Sequence, residues 1–467
     1  MSRTRLSARA LALAASLCLL LAAPPGCVAL RAPTGLFAGG DGDLSSATPE
    51  QRRQAFWAAV SDMEMVRATR IAPGREHAEF ARGMRLVLDG RMAEAEQRFA
   101  PLAGEAVDSL VRAASRVALS SVFGYDGRWQ ALHDLTSPTA VPAGMVGFER
   151  AGIDVWSASM RLAPEAEYRI APFPVALRFE ITGTGTPLVP VIVNGRIRQF
   201  WLDTGTSLTL VASDVAAQAG IRPLSPDTLE IVTSAGRIRA LPAAVERLEL
   251  GPLTATGHAV AVVPARELTI LETVAPGKVE RVKVDGVIGM DLMRRLNIIV
   301  DFPTRVALLS RPRSEPERSL PRNLFWLGYP VVRAQGPGGV PLYFALDTGA
   351  DSTFVTQNLM RKLPHRLLAQ RTRFVAGFGS DTTVRTPVLS ELKLSAAGRE
   401  FSMRHVAVHE QKRLMLFDLD GVLGADLGAG HRVRIDMTNG IFEIGTPRPP
   451  RATERRPGGA KEIGVGP

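Results

Sequence analysis

The chain has 467 residues and a formal net charge of +10, from 56 Lys and Arg against 46 Asp and Glu. Its length allows about three domains of ordinary size and excludes a single small module. The 43 glycines and 33 prolines indicate many turns but stay below the share typical of disordered chains, and the positive charge favours anionic surroundings without naming a partner.

Residues 1–27 have the pattern of an export signal. Three arginines precede an apolar run from Ala10 to Ala23, and Cys27 follows after two prolines and a glycine. A charged start and an apolar segment too short to span a membrane comfortably are typical of such signals. Because Cys18 lies in the part that would be removed, the mature chain would keep one lone thiol, a liability in an oxidising compartment unless it is capped.

This segment resembles a bacterial lipoprotein signal, in which the cysteine becomes the acylated first residue. Pro24 and Pro25 replace the aliphatic and small residues expected there, so simple secretion with cleavage after Ala29 is the alternative. We therefore expect an exported protein: a periplasmic or outer-membrane lipoprotein of a bacterium attached to a membrane through Cys27, or alternatively a secreted soluble protein.

A tether and a helical module are predicted next. Residues 28–49 are rich in Gly, Ser, Asp and Pro without an apolar period, which is typical of a flexible tether. Residues 50–165 carry apolar side chains three and four apart, which predicts helices. The tripeptide Asp-Gly-Arg at Asp89 recurs 37 residues later at Asp126. This resembles a tetratricopeptide helix pair, whose period is roughly 34; an unrelated bundle is the alternative, and a protein partner is expected to dock here.

Two β-rich regions follow at residues 170–310 and 322–446, with a polar, proline-bearing linker between them. Both contain short apolar and β-branched runs separated by turn residues, which predicts a mostly β fold. In the first region, Asn194-Gly195 marks a hairpin turn, and Gly336 to Gly339 marks its counterpart in the second. The tail at 447–467 is rich in Pro, Gly and Arg and is predicted to be disordered and basic.

The two β regions carry the same motifs in the same order. Phe-Trp-Leu-Asp-Thr-Gly-Thr-Ser, starting at Phe200, returns as Phe-Ala-Leu-Asp-Thr-Gly-Ala-Asp from Phe344. Downstream, Asp-Gly-Val-Ile-Gly ending at Gly289 returns as Asp-Gly-Val-Leu-Gly ending at Gly424. One Asp-Thr-Gly arises by chance in roughly one chain in ten of this length. A matched pair with the same neighbours indicates an internal duplication.

An apolar strand that ends in Asp-Thr-Gly, followed about 80 residues later by two apolar residues and a glycine, resembles one lobe of an aspartic protease. Two such lobes in one chain resemble the pepsin arrangement, and Asp-Thr-Gly-Ala-Asp resembles the retroviral protease monomer. The resemblance covers residues 173–444. It implies two tandem retropepsin-like β-barrel lobes in a pseudo-dimeric monomer, a peptide or protein substrate and no cofactor or metal. Scattered basic residues without an aromatic surface disfavour nucleic acid.

Hydrolysis without a metal or a covalent nucleophile needs one group that deprotonates water and one that protonates the carbonyl oxygen. Two carboxylates about 3 Å apart share one proton and can do both. The resemblance assigns the catalytic pair to Asp203 and Asp347. It assigns support of the pair to Thr204, Gly205, Thr206, Thr348, Gly349, Gly289 and Gly424.

The two copies differ directly after the glycine. Thr206 can donate a hydrogen bond to Asp203, whereas the side chain of Ala350 cannot donate to Asp347. Because such a bond favours the ionised carboxylate, we hypothesise that Asp203 is the general base and Asp347 its protonated partner.

Substrate contacts are also implied by the resemblance. Ser207 and Asp351 stand where retroviral-type lobes contact the substrate backbone, with a local helix or turn cap as the alternative for Asp351. Hairpins around Gly236 and Gly379 are predicted flaps, although neither has the tyrosine typical of pepsin flaps. The sequence thus predicts an aspartic endopeptidase. The alternative is a non-catalytic, envelope-anchored binding protein that uses the bilobal cleft or the helical module for recognition.

Overall fold

The structure is a computed structural model, which describes residues 47–136, 153–232, 237–275, 278–314, 321–377, 380–409 and 416–445. The predicted export signal with Cys27, most of the tether, the basic tail and the tips of both predicted flaps with Gly236 and Gly379 lie outside these residues. Among the described helices, none has the length and apolarity that a membrane crossing requires.

The described part of the N-terminal region is helical, as predicted. Its helices are α1 Pro49–Ser61, α2 Met65–Arg70, α3 Arg75–Leu88, α4 Met92–Glu105, α5 Ser109–Asp126, α6 Trp129–Thr136 and α7 Ile153–Met160. A capping box starts α1, since the hydroxyl of Thr48 accepts from the Gln51 N–H and the Gln51 side chain accepts from the Thr48 N–H. The two Asp-Gly-Arg turns join α3 to α4 and α5 to α6, with Gly90 and Gly127 both at positive φ. That these helices form a repeat of tetratricopeptide-like character stays a prediction.

The first β region forms a closed barrel. Its elements are β1 Glu167–Ile170, β2 Val175–Arg178, β3 Glu180–Ile181, β4 Pro187–Val193, β5 Arg196–Leu202, β6 Leu210–Ala212, α8 Ser213–Gln218, β7 Leu229–Val232, β8 Arg237–Leu250, β9 Leu253–Val263, β10 Thr269–Ala275, β11 Lys278–Lys283, β12 Gly286–Ile288, α9 Met290–Met293, β13 Asn297–Asp301 and β14 Val306–Ser310. Six strands close in the order β4-β5-β12-β6-β9-β8, and β8 pairs back to β4. Alternate residues of β4 are buried, which gives the barrel its apolar interior.

The second β region repeats this barrel. Its elements are β15 Leu324–Trp326, β16 Pro330–Gln335, β17 Pro341–Leu346, β18 Phe354–Thr356, α10 Gln357–Lys362, β19 Leu367–Gly377, β20 Ser380–Ala396, β21 Arg399–His409, β22 Gly421–Leu423, β23 Arg432–Asp436 and β24 Ile441–Gly445. The closed order is β16-β17-β22-β18-β21-β20, with β20 pairing back to β16. The prediction of a mostly β fold with two tandem barrel lobes after a helical region is confirmed.

A five-stranded sheet joins the two barrels, in the order β2-β14-β13-β23-β24. At its centre β13 and β23 run antiparallel, with Asn297 opposite Asp436 and Asp301 opposite Arg432. Both strands begin eight residues after the repeated glycines, Gly289 and Gly424, so they are copies of each other in the duplicated sequence. The pairing of a repeat with its own copy produces a pseudo-twofold axis between the lobes.

The helical region packs on the second barrel. Its core side chains share one hydrophobic cluster with Phe417, Val422 and Ala350 of that barrel. Next to this cluster, the indole N–H of Trp326 donates to the carbonyl of Ser121 in α5 at 3.1 Å. Because Ala350 belongs to the loop that carries Asp347, the packing of the helical region reaches that loop.

Candidate active site

Asp203 follows β5 and Asp347 follows β17, and the structure brings the two loops together at the seam between the barrels. A Cβ added to Gly205 would lie 2.2 Å from Oδ1 of Asp347 and 3.0 Å from Oδ1 of Asp203. A Cβ added to Gly349 would lie 2.6 Å from both carboxylate oxygens of Asp203. Each glycine therefore lies against the carboxylate of the opposite loop. Any side chain at its position would clash with that carboxylate.

Hydrogen bonds within each loop hold its carboxylate. Asp203 accepts from the Gly205 N–H at 2.8 Å and from the hydroxyl of Thr206 at 2.7 Å. Asp347 accepts from the N–H groups of Gly349 and Ala350, both at 3.0 Å. The residue after the glycine therefore donates through its side chain in the first loop, where it is Thr206, and through its backbone N–H in the second, where it is Ala350. The hydrogen bond from Thr206 on which the assignment of the general base depends is present.

Both carboxylates are removed from solvent, with Asp203 0% and Asp347 1% exposed. Burial, followed by the charge of Asp347, raises the pKa of Asp203 well above its usual range, while the bonds from Thr206 and Gly205 act in the opposite direction. Hydrogen bonding to the Asp347 carboxyl group acts in the same direction as burial and raises the pKa of Asp203 further. Two adjacent carboxylates in a buried site cannot both ionise at low cost, so the pair retains a proton that an isolated aspartate would lose.

Thr204 and Thr348 link the two loops across the seam. Each backbone N–H donates to the hydroxyl oxygen of the other residue at 2.9 Å. The hydroxyl of Thr204 then donates to the carbonyl of Leu346, and that of Thr348 to the carbonyl of Leu202, both at 2.8 Å. Four bonds related by the pseudo-twofold axis therefore fix the position of one aspartate relative to the other.

Gly289 and Gly424 lie against the backs of the aspartate loops. A Cβ added to Gly289 would stand 2.7 Å from the carbonyl carbon of Leu208, and one added to Gly424 would stand 2.6 Å from that of Ser352. These neighbours are backbone atoms, which cannot move aside without moving the loop. Their role in supporting the aspartate loops stays a prediction.

A second pair of polar contacts, which the sequence analysis missed, braces the same loops. Asp291 accepts from the N–H and the hydroxyl of Thr209, both at 2.8 Å. In the second lobe Asp426 accepts from the N–H of Thr353 at 2.9 Å and from its hydroxyl at 2.7 Å. Both threonines follow their catalytic-loop aspartates by six residues, and both aspartates fall within the repeated segment. This repetition is the sequence signal from which the contacts between the threonines and the aspartates could have been predicted.

The predicted substrate contacts have local partners. The carbonyl of Ser207 accepts from the Asp291 N–H at 3.2 Å, and Asp351 accepts from the hydroxyl of Ser352 at 3.0 Å. Their contact with substrate remains a prediction. Hairpins β7–β8 and β19–β20 form where flaps were expected, and their function as flaps also remains a prediction. Within the described ranges, no three His, Cys, Asp or Glu are grouped as a metal site would require.

The sequence model of the aspartyl protease family matches residues 189–292. The matched span runs from β4 to α9, so it includes Asp203 and Gly289. This match and the two closed six-stranded barrels fit a retropepsin-like fold. The first barrel is thus similar to an aspartyl protease domain over the matched residues, and the second barrel repeats its motifs. No curated protein matches this chain.

Proposed function

We propose that this chain is an aspartic endopeptidase that hydrolyses peptide bonds with water activated between Asp203 and Asp347. The main support is that two Asp-Thr-Gly loops from duplicated barrels meet in one buried site, where the threonine bonds hold them in register. A binding protein has no need for two carboxylates that share a proton away from solvent, because burying such a pair is costly.

In the proposed reaction the ionised carboxylate removes a proton from water, and the water oxygen attacks the peptide carbonyl carbon. The protonated carboxyl group gives its proton to the carbonyl oxygen, which yields a tetrahedral diol. The carboxyl group that took the proton from water then passes it to the amide nitrogen, and the C–N bond breaks. The other carboxylate, which gave its proton to the carbonyl oxygen, takes a proton back from the diol. We assign the base to Asp203 because Thr206 stabilises its ionised form.

Substrate must reach carboxylates that have almost no solvent contact. Two described contacts join the helical region to the lobes. One is the cluster that includes Ala350 of the Asp347 loop, and the other is the bond from the Trp156 indole N–H in α7 to the carbonyl of Glu230 in β7.

The test is cleavage of a denatured protein mixture, read by mass spectrometry of the new termini. Asp203→Asn and Asp347→Asn should each abolish cleavage, and pepstatin should inhibit the wild-type enzyme. Asp227→Asn makes the same charge change in an exposed loop and should cleave like the wild type. A wild-type chain that binds peptides without cleaving any, at every pH between 3 and 8, would establish the binding-protein alternative.

We also propose export and lipid attachment through Cys27, on the sequence pattern alone. In a bacterial host, metabolic labelling with a fatty acid should mark the wild-type chain. Cys27→Ser should abolish the label, whereas Cys18→Ser should keep it. A labelled Cys27→Ser chain would show that the attachment site lies elsewhere.

A further inference from the structure

His258 is a buried histidine that the proposed reaction does not use. It lies in β9 and is 3% exposed. Its Nε2 lies 3.0 Å from Oδ2 of Asp291, and its Nδ1 lies 3.0 Å from the hydroxyl of Tyr168 in β1. Both ring nitrogens therefore have one polar partner each, and the ring joins two elements that are distant in sequence.

The partners determine how the ring is protonated. A carboxylate only accepts hydrogen bonds, so Nε2–H donates to Asp291. Nδ1 of the neutral ring then accepts the hydrogen of the Tyr168 hydroxyl, and every polar atom in the chain of contacts is satisfied.

From Asp291 the contacts continue to the catalytic loop. The carboxylate of Asp291 holds Thr209, at the far end of that loop. The adjacent Met290 N–H donates to the carbonyl of Thr206 at 2.7 Å, and the hydroxyl of Thr206 donates to Asp203. A shift of Asp291 would thus be transmitted through two hydrogen bonds to Asp203.

The second lobe has a different residue at the equivalent place. Leu210 pairs with Ala261 in the first barrel, and Phe354 pairs with Ala407 in the second. The residue three positions before Ala261 is His258, and the residue three positions before Ala407 is Arg404, which is exposed. The buried histidine is therefore a feature of the first lobe alone, so only the loop of Asp203 is braced by it.

In the described part of the chain, two cations act on Tyr168, one of the two partners of His258. The guanidinium carbon of Arg295 lies 3.3 Å from the centroid of the Tyr168 ring, and both Arg295 and Arg294 act electrostatically on Tyr168.

We propose that His258 is a positioning residue for the general base: through Asp291 and the Thr206 loop, its ring holds Asp203 in place. This inference rests on the proposed protease function. It adds a residue outside the carboxylate pair to those that position the base.

The experiment measures kcat and KM of peptide cleavage between pH 3 and 8 for three variants. His258→Phe keeps a ring but removes both hydrogen bonds, so kcat should fall about ten- to hundredfold while KM stays within about twofold. His258→Gln can still donate to Asp291, so it should recover most of the kcat that His258→Phe loses. Arg404→Gln, the matched change in the other lobe, should behave like the wild type.

A second measurement needs no turnover. In protein with ¹³C-labelled aspartate carboxyl groups, the signal that Asp203→Asn removes should titrate at a higher pH in His258→Phe, because a loosened Thr206 bond stabilises the ionised form less. If this shift occurs but the wild type cleaves nothing, the positioning chain stands and the protease proposal fails. Wild-type kcat in His258→Phe, or a lower melting temperature with no change in kcat or carboxyl signal, would overturn the role of His258.

Discussion

Thr204 and Thr348 are hydrogen bonded to each other twice, because the backbone N–H of each donates to the hydroxyl of the other at 2.9 Å. Each hydroxyl thus accepts from an N–H of the opposite lobe and donates to a carbonyl of that same opposite lobe. The geometry of the carboxylate pair is therefore a property of the interface between the barrels, and neither loop alone defines it.

Loss of one hydroxyl should weaken both lobes. Thr204→Val leaves the Thr348 N–H and the Leu346 carbonyl without partners in a buried site, so the free energy of unfolding should fall by about 1–3 kcal/mol. Thr348→Val should cost a similar amount because its contacts mirror those of Thr204. Urea denaturation checks this, with Thr204→Ser as the control that keeps the hydroxyl. A Thr204→Val protein as stable as the wild type would contradict the assigned bonds.

The raised pKa of Asp203 predicts how stability depends on pH. The folded protein keeps a proton that the unfolded chain releases above about pH 4, so this site lowers stability progressively as pH rises from 4 toward the folded-state pKa. Asp203→Asn removes the titration. The difference in melting temperature between this variant and the wild type should grow in favour of the variant between pH 4 and 7. A constant difference would show that Asp203 has an ordinary pKa.

Gly289 and Gly424 should tolerate no side chain. An alanine at either position would place its Cβ within 2.7 Å of backbone carbons of the aspartate loop, and the loop would have to shift. We expect Gly289→Ala to lower kcat by about a hundredfold. Gly104→Ala is the matched control, since a Cβ there meets nothing within 4 Å, and its activity should equal that of the wild type. Normal activity in Gly289→Ala would mean that this segment does not position Asp203.

Asp285 and Asp420 occupy equivalent positions in the two lobes, but their removal should lower the free energy of unfolding by different amounts. Asp420 is fully buried, and it accepts from the Tyr343 N–H at 2.7 Å and pairs with Lys362 at 3.0 Å. Its counterpart accepts from the Gln199 N–H at 3.0 Å but is 28% exposed.

Removal of Asp420 leaves a half-buried ammonium unpaired. Asp420→Ala should therefore cost about 3–5 kcal/mol and Asp285→Ala about 1 kcal/mol, as measured by denaturant titration. Equal costs would show that the buried pair adds no stability beyond that of its exposed copy.

The duplication allowed much of the site to be predicted from the sequence. Asp203 and Asp347 each end an apolar strand in a repeated motif, and repeated motifs in one fold occupy equivalent positions. The hairpin turn at Asn194-Gly195 was also predictable, because both residues have positive φ there and their sequence favours that turn.

Contacts between distant, unrepeated residues were not predictable. His258 lies between Tyr168 and Asp291, 90 and 33 residues away, and no periodicity connects these three. The packing of the helical region near Ala350 also has no local signal, since it depends on apolar faces of two separately folded parts. Such contacts arise from tertiary geometry, which a single sequence does not encode at any fixed spacing.

The most direct test is single-turnover cleavage of one identified peptide by Asp203→Asn, Asp347→Asn and the double variant. If both carboxylates act as one unit, each single variant will be as inactive as the double variant, because catalytic groups that act together are not additive. If either single variant retains a substantial part of the wild-type rate, the shared pair is not the catalytic centre.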